Sequence, residues 1–248
     1  MGNSTTTTSD RSHRRRNIFL LAGALVLVGA VAGGFGLWYV LIGPASPDPA
    51  APVIPAGASV AAPPAFDGNW QIRDNMGSFS DFSSSWLGYR VQEQFVTLGG
   101  HTAVGRTPKV TGSLTISGST VTAASISADL TALVSDAPQR DGELGDSGIQ
   151  SNQFPTATFA LTQPIALGSI PSDGATISAT AVGKLTLHGV TRDVQVALKA
   201  RRQGGLIAVS GSLPIVFADY GFTGPNVLGF VTVNDHGTME LHLLLTHS

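Results

Sequence analysis

The chain has 248 residues, a formal net charge of −2 and only 12% charged side chains. So weak a charge offers no basic face for nucleic acid, and the absence of cysteine excludes disulfides, thiol chemistry and cysteine-ligated zinc. The length suits one good-sized domain with additional segments.

Residues 1–17 are polar and then basic. Gly2 to Asp10 is rich in Ser and Thr and reads as a disordered tail. Arg11, Arg14, Arg15 and Arg16 follow, with His13 among them. From Ile18 to Ile42 the chain is uncharged and almost wholly apolar. A helix over this run would be about 37 Å long, enough to cross a hydrocarbon core of about 30 Å. No positive charge follows it until Arg73. The positive-inside rule therefore places the N-terminus in the cytoplasm and the remainder outside. The expectation is a single-pass cell-membrane protein with an uncleaved signal anchor and an extracytoplasmic C-terminal domain. A cleaved signal peptide is the competing reading, but its apolar region is usually only about 7–15 residues.

Residues 43–65 are rich in Pro and Ala, with Pro44, Pro47, Pro49, Pro52, Pro55, Pro63 and Pro64. They read as an extended spacer. From Phe66 to Ser248 the texture changes to alternation of apolar and polar residues. Ala124, Ile126, Ala128 and Leu130 form one apolar stripe. Ile177, Ala179, Ala181, Gly183, Leu185 and Leu187 form a second, and Val194, Val196 and Leu198 a third. Met239, Leu241, Leu243 and Leu245 form a last one. Period two means strands with one apolar face. Turns are expected at Leu98-Gly99-Gly100, Ser117-Gly118-Ser119, Ser172-Asp173-Gly174, His188-Gly189 and Gln203-Gly204-Gly205. This gives about eight strands. Asp136 to Gln153 breaks the pattern and reads as a short helix in a long connection. Strands with one apolar face need closure or a second layer, so a barrel and a sandwich both fit.

Catalytic signals are absent. No Gly-x-Ser-x-Gly elbow occurs. His101, His188, His236, His242 and His247 are scattered, so no metal site is expected. Glu93, Arg140 and Asp141 are the visible acid–base candidates. The reading is of a binding protein rather than an enzyme, with no cofactor.

Several motifs carry a resemblance. The strand-like Ser85-x-Leu87-x-Tyr89-x-Val91-x-Glu93 comes first, followed by Gly105 and Gly112. Arg140-Asp141, Leu144, Phe154-Pro155 and Phe159 come next. Leu185-Thr186-Leu187-His188-Gly189-Val190-Thr191 is the most diagnostic string, and Ala218-Asp219-Tyr220-Gly221-Phe222 follows late. Over about Trp70 to Thr246 the chain resembles the YceI-like family. The phrase Gly88 to Glu93 is similar to membrane-anchored actinobacterial members. Glu93 and Ser84 stand where common members carry histidines.

The resemblance implies an all-β fold: an antiparallel, eight-stranded, lipocalin-like barrel with a short helical connection. One N-terminal transmembrane helix would precede it. It also implies a long-chain lipid partner, such as a polyprenyl phosphate, an isoprenoid quinone or a precursor, held for storage, shielding or transfer. The candidate cavity-lining residues are Leu87, Tyr89, Val91, Glu93, Leu114, Ile126, Leu130, Phe159, Leu185 and Phe217. Arg140 and Asp141 are expected at the cavity entrance or in a structural motif. The alternative is a cell-surface β-domain with a filled core that binds another protein.

Overall fold

A computed structural model describes residues 52–63, 65–96, 99–224, 226–227 and 231–248. The expected tail, the apolar run 18–42 and the first part of the spacer lie outside the described residues. Among the described residues no helix is long and apolar enough to cross a membrane.

The chain runs through β1 (Gly68–Ile72), β2 (Trp86–Phe95), β3 (Gly99–Thr107), β4 (Val110–Ser117) and β5 (Thr120–Asp129). A 3-10 turn (Leu130–Ala132), β6 (Val134–Ser135) and helix α1 (Pro138–Asp146) follow. Then come β7 (Thr156–Leu161), β8 (Ile165–Ala166), β9 (Thr176–Leu187), β10 (Val190–Gln203) and β11 (Leu206–Val216). A second 3-10 turn (Phe217–Tyr220), β12 (Asn226–Val227) and β13 (Val231–His247) complete it.

The strands close into a ring. Its order is β1, β4, β5, β7, β9, β10, β11 and β13, and β13 pairs again with β1. This is an all-β, closed, eight-stranded antiparallel barrel with one short helix. Closure rests on Trp70 opposite His247 and Ile72 opposite Leu245.

Several staves of the barrel are built from two pieces. β13 pairs with β2 from Val231 to His242, then with β1 from Leu245 to His247. β1 and β2 therefore lie end to end, and residues 73–85 loop out between them. β3 and β4 form one stave broken at Pro108, and β5 and β6 one stave interrupted by the 3-10 turn. Alternation identifies the faces of these strands but cannot show such breaks. Leu130 thus begins the 3-10 turn instead of extending its strand, and it remains buried. Gly105 and Gly112 lie within β3 and β4 rather than at a turn.

The β9–β10 hairpin forms where expected. His188 and Gly189 have φ of 51° and 73°, the pair of positive values that a two-residue hairpin turn needs. Gly189 adopts its value freely, whereas His188 needs support. The Tyr220 carbonyl lies 3.0 Å from His188 Nδ1 and Gln150 Oε1 lies 2.8 Å from Nε2. Phe154 packs on the same ring, with centroids 4.0 Å apart.

The described part of the Pro/Ala-rich spacer differs from the expected free extension. Ile54, Ala58 and Val60, with Met76, pack against Leu206, Ala208 and Leu244 on the outside of the barrel. Val53 N–H donates to His242 Nε2 at 3.1 Å, and Gly205 N–H donates to the Val60 carbonyl at 2.8 Å. The cause is an apolar outer face. Leu206, Ala208 and Leu244 point away from the interior, and burying them is favourable by about 25 cal/mol per Å².

Candidate functional site

The eight staves of the ring turn one face inward, and the inward side chains form two apolar clusters that share Leu87. They do not fill the barrel. The lower chamber lies toward the β4–β5 and β10–β11 turns. Its walls include Leu114, Ile126, Phe159, Leu185, Leu198 and Leu241. The upper chamber lies toward α1 and includes Tyr89, Val91, Leu130, Leu187, Ile215 and Phe217. Leu87 and Met239 belong to both walls and stand between the chambers. The space open to the centre of a water-sized sphere is about 160 Å³ below and 90 Å³ above.

The upper end is covered by a polar cluster. Arg140 on α1 reaches Glu93 on β2 with both faces of its fork, at 3.1 and 2.7 Å. Its other nitrogen meets Asp136. Asp136 also accepts from Val104 N–H at 3.4 Å and approaches His101 Nε2 at 3.4 Å. Asp141 accepts from Ser135 N–H at 2.8 Å and so ties α1 to β6. Burial acts to lower the pKa of Arg140, but the Glu93 carboxylate outweighs it and holds the guanidinium above its usual range. The Arg140-Asp141 pair is thus a latch across the barrel end.

Tyr89 lies below this latch, and its ring leaves no room for a Cβ on Gly105 of β3. A larger residue at 105 would push the ring into the chamber. Burial raises the Tyr89 pKa, so the phenol stays neutral. Its hydroxyl has no hydrogen-bond partner among the described residues.

The expected lining residues fall into place by parity. Leu87, Leu114, Ile126, Phe159 and Leu185 line the lower chamber, and Leu87, Tyr89, Val91, Leu130 and Phe217 the upper one. Glu93 differs: it lines neither chamber and is held by Arg140 instead. Several lining residues were missed, among them Leu187, Leu198, Ile215 and Leu241. Met239 sits at the waist, and Arg202 borders the lower chamber. The alternation of β10 carried the signal for Arg202, since Val196, Leu198, Ala200 and Arg202 share one face.

Among the described residues no group of three or more His, Asp or Glu is placed to hold a metal ion.

A profile of the YceI-like domain matches residues 74–245. The chain belongs to the YceI-like family. Among curated proteins none matches it. Among solved structures, a polyisoprenoid-binding domain from Saccharophagus degradans, implicated in plant cell wall breakdown, is similar with a TM-score of 0.53 and 17% identity. That similarity covers 66% of this chain and 98% of the other and shows the same fold. Burkholderia cenocepacia BcnA has a TM-score of 0.49 and 19% identity, over 64% of this chain and 95% of the other. The Campylobacter jejuni YceI protein has a TM-score of 0.43 and 15% identity, over 58% of this chain and 84% of the other.

Proposed function

We propose that this YceI-like barrel holds the apolar chain of one isoprenoid or similar lipid. Residues 18–42 tether it to the outer side of the cell membrane, as in the membrane-anchored actinobacterial type. The observation that carries the reading is the two-chamber interior, walled almost throughout by aliphatic and aromatic side chains. The similar domain from Saccharophagus degradans, described as polyisoprenoid-binding, supports the choice of ligand class.

The energetics suit an apolar chain. Each methylene removed from water contributes about 0.8 kcal/mol, so a chain of about 20 carbons, if fully enclosed, gives about 16 kcal/mol gross. Association costs about 4–15 kcal/mol. A buried chain therefore stays bound without directed polar contacts, and the walls select for slenderness and length. Such a container shields an apolar chain from water, which serves storage and transfer alike. The described wall is almost wholly apolar, which favours binding as the function.

Mass spectrometry of an organic extract of the purified full chain tests the reading. The expected result is one isoprenoid-type lipid at about one per chain. Leu185→Asp places a carboxylate in the lower wall and should abolish that signal while the barrel stays folded by circular dichroism. A lipid-free protein that also refuses added polyprenyl lipids would overturn the proposal.

A further inference from the structure

The two ends of the cavity differ in charge. At the upper end Arg140 is already engaged by Glu93 and Asp136, two carboxylates for one guanidinium. An anionic group placed there would meet excess negative charge. At the lower end the chamber is bordered by Phe66, Leu167, Pro171 and Arg202. These come from the start of β1, the β8–β9 connection and the end of β10.

Arg202 is the notable side chain at this end. It shares the inward face of β10 with the apolar stripe. Its Nε donates to the Gly204 carbonyl at 3.2 Å and its Nη1 to the Pro171 carbonyl at 3.4 Å. The guanidinium carbon lies 5.1 Å from the centre of the Phe66 ring. Among the described residues no carboxylate lies within ion-pair distance of it. The nearby acids point elsewhere: Asp173 accepts from Gly204 N–H at 2.6 Å and Asp67 from Gly118 N–H at 2.9 Å. Arg201, opposite Ala208, shares the outer face and takes no part in this end of the cavity. A guanidinium oriented by backbone carbonyls and an aromatic ring keeps N–H groups free for an anion.

We infer that the lower end of the cavity is a head-group site: the lipid lies tail-up, and Arg202 binds an anionic head, phosphate or carboxylate, at the mouth beside Phe66 and Pro171. The inference rests on the lipid-binding reading and adds orientation, head-group charge and the residue that selects it. The tail then lies toward the Arg140 latch.

The test uses three lipids with one C20 chain: geranylgeranyl phosphate, geranylgeranoic acid and uncharged geranylgeraniol. They are titrated calorimetrically into the full-length protein, stripped of lipid and kept in a non-ionic amphipathic polymer. Wild type should bind the anions at least about tenfold tighter than the alcohol, as a charge-assisted hydrogen bond predicts. A tighter phosphate than carboxylate would identify the head as phosphate, and equal affinities would extend the site to both. Arg202→Gln should bring the affinities for all three within about twofold of one another. Arg202→Lys should keep part of the preference. Should Arg202→Gln fail to fold, wild type decides, because the preference must shrink between about 0.01 and 1 M salt as the screening length falls from about 30 to 3 Å. Equal binding of all three by wild type, or a preference that survives Arg202→Gln, overturns the head-group site alone. Failure of wild type to bind any of the three overturns the lipid-binding reading and the site with it.

Discussion

Glu93 shows how a residue flagged by its sequence acquires its role only from a distant partner. It stands where common family members carry a histidine, and Arg140 meets it from 47 positions away with two hydrogen bonds. Both side chains are nearly buried, at 7% and 11% exposure. Breaking such a pair on one side leaves a buried charge and costs about 3–5 kcal/mol. Glu93→Gln should therefore lower the urea unfolding free energy by about that amount, and Glu93→Leu combined with Arg140→Leu by clearly less. A second residue sets a pH dependence. His242 donates from Nδ1 to the Ser84 carbonyl, and at Nε2 the neutral ring accepts from Val53 N–H, with the Val53 carbonyl also 3.1 Å from that nitrogen. Burial pushes its pKa below 6.5, against the weaker pull of the backbone carbonyls. The unfolded chain then takes up a proton before the folded one. This contribution to stability is complete above about pH 6.5 and is lost as the pH falls below it. Thermal melts from pH 7.5 down to 5.5 should show a falling Tm, and His242→Asn should lower the Tm but flatten the slope.

At the scale of elements, the strands with strict alternation were legible and the irregular pieces were not. The stripes of β9, β10 and β13 name their inward residues directly, and the His188-Gly189 turn falls between the two runs that it joins. The break between β1 and β2 leaves no such mark, because residues 73–85 look like any polar loop. The strap formed by residues 52–63 was hidden for another reason: Pro and Ala carry no periodicity, so composition alone reads as a spacer. Its partner was visible in part. Leu206-Ile207-Ala208-Val209 is apolar on both faces, which a strand with a wet outer face does not need. Val60→Asp should detach the strap. Limited proteolysis should then cut within residues 52–63 in the variant and spare them in wild type. Equal cutting in both would mean that the strap contributes nothing to order.

For the molecule as a whole, the cavity sets a length rule. A cavity of finite length should give affinities that rise with chain length and then level off, since further carbons remain in water. A ladder of isoprenoid alcohols from C10 to C40 checks this by competition. The waist offers a second reading of the same rule. Leu87→Ala removes bulk shared by both chambers and should move the plateau to longer chains, at a stability cost of about 2–5 kcal/mol. The polarity of the cavity was not legible as a whole, because Glu93, Asp136 and Arg140 come together as a polar end only through α1.

The ring joins its first strand to its last, with Trp70 opposite His247. Until β13 settles between β11 and the β1–β2 stave, the apolar faces of the other strands form an open trough. Contacts so far apart in sequence form slowly, on the order of milliseconds to seconds for β folds. A lipid present during that interval can be enclosed by the closing wall rather than threaded into the finished barrel. Loading would then be a folding event, and the order of addition would matter: protein refolded with lipid should fill faster and more completely than closed protein offered the same lipid afterwards.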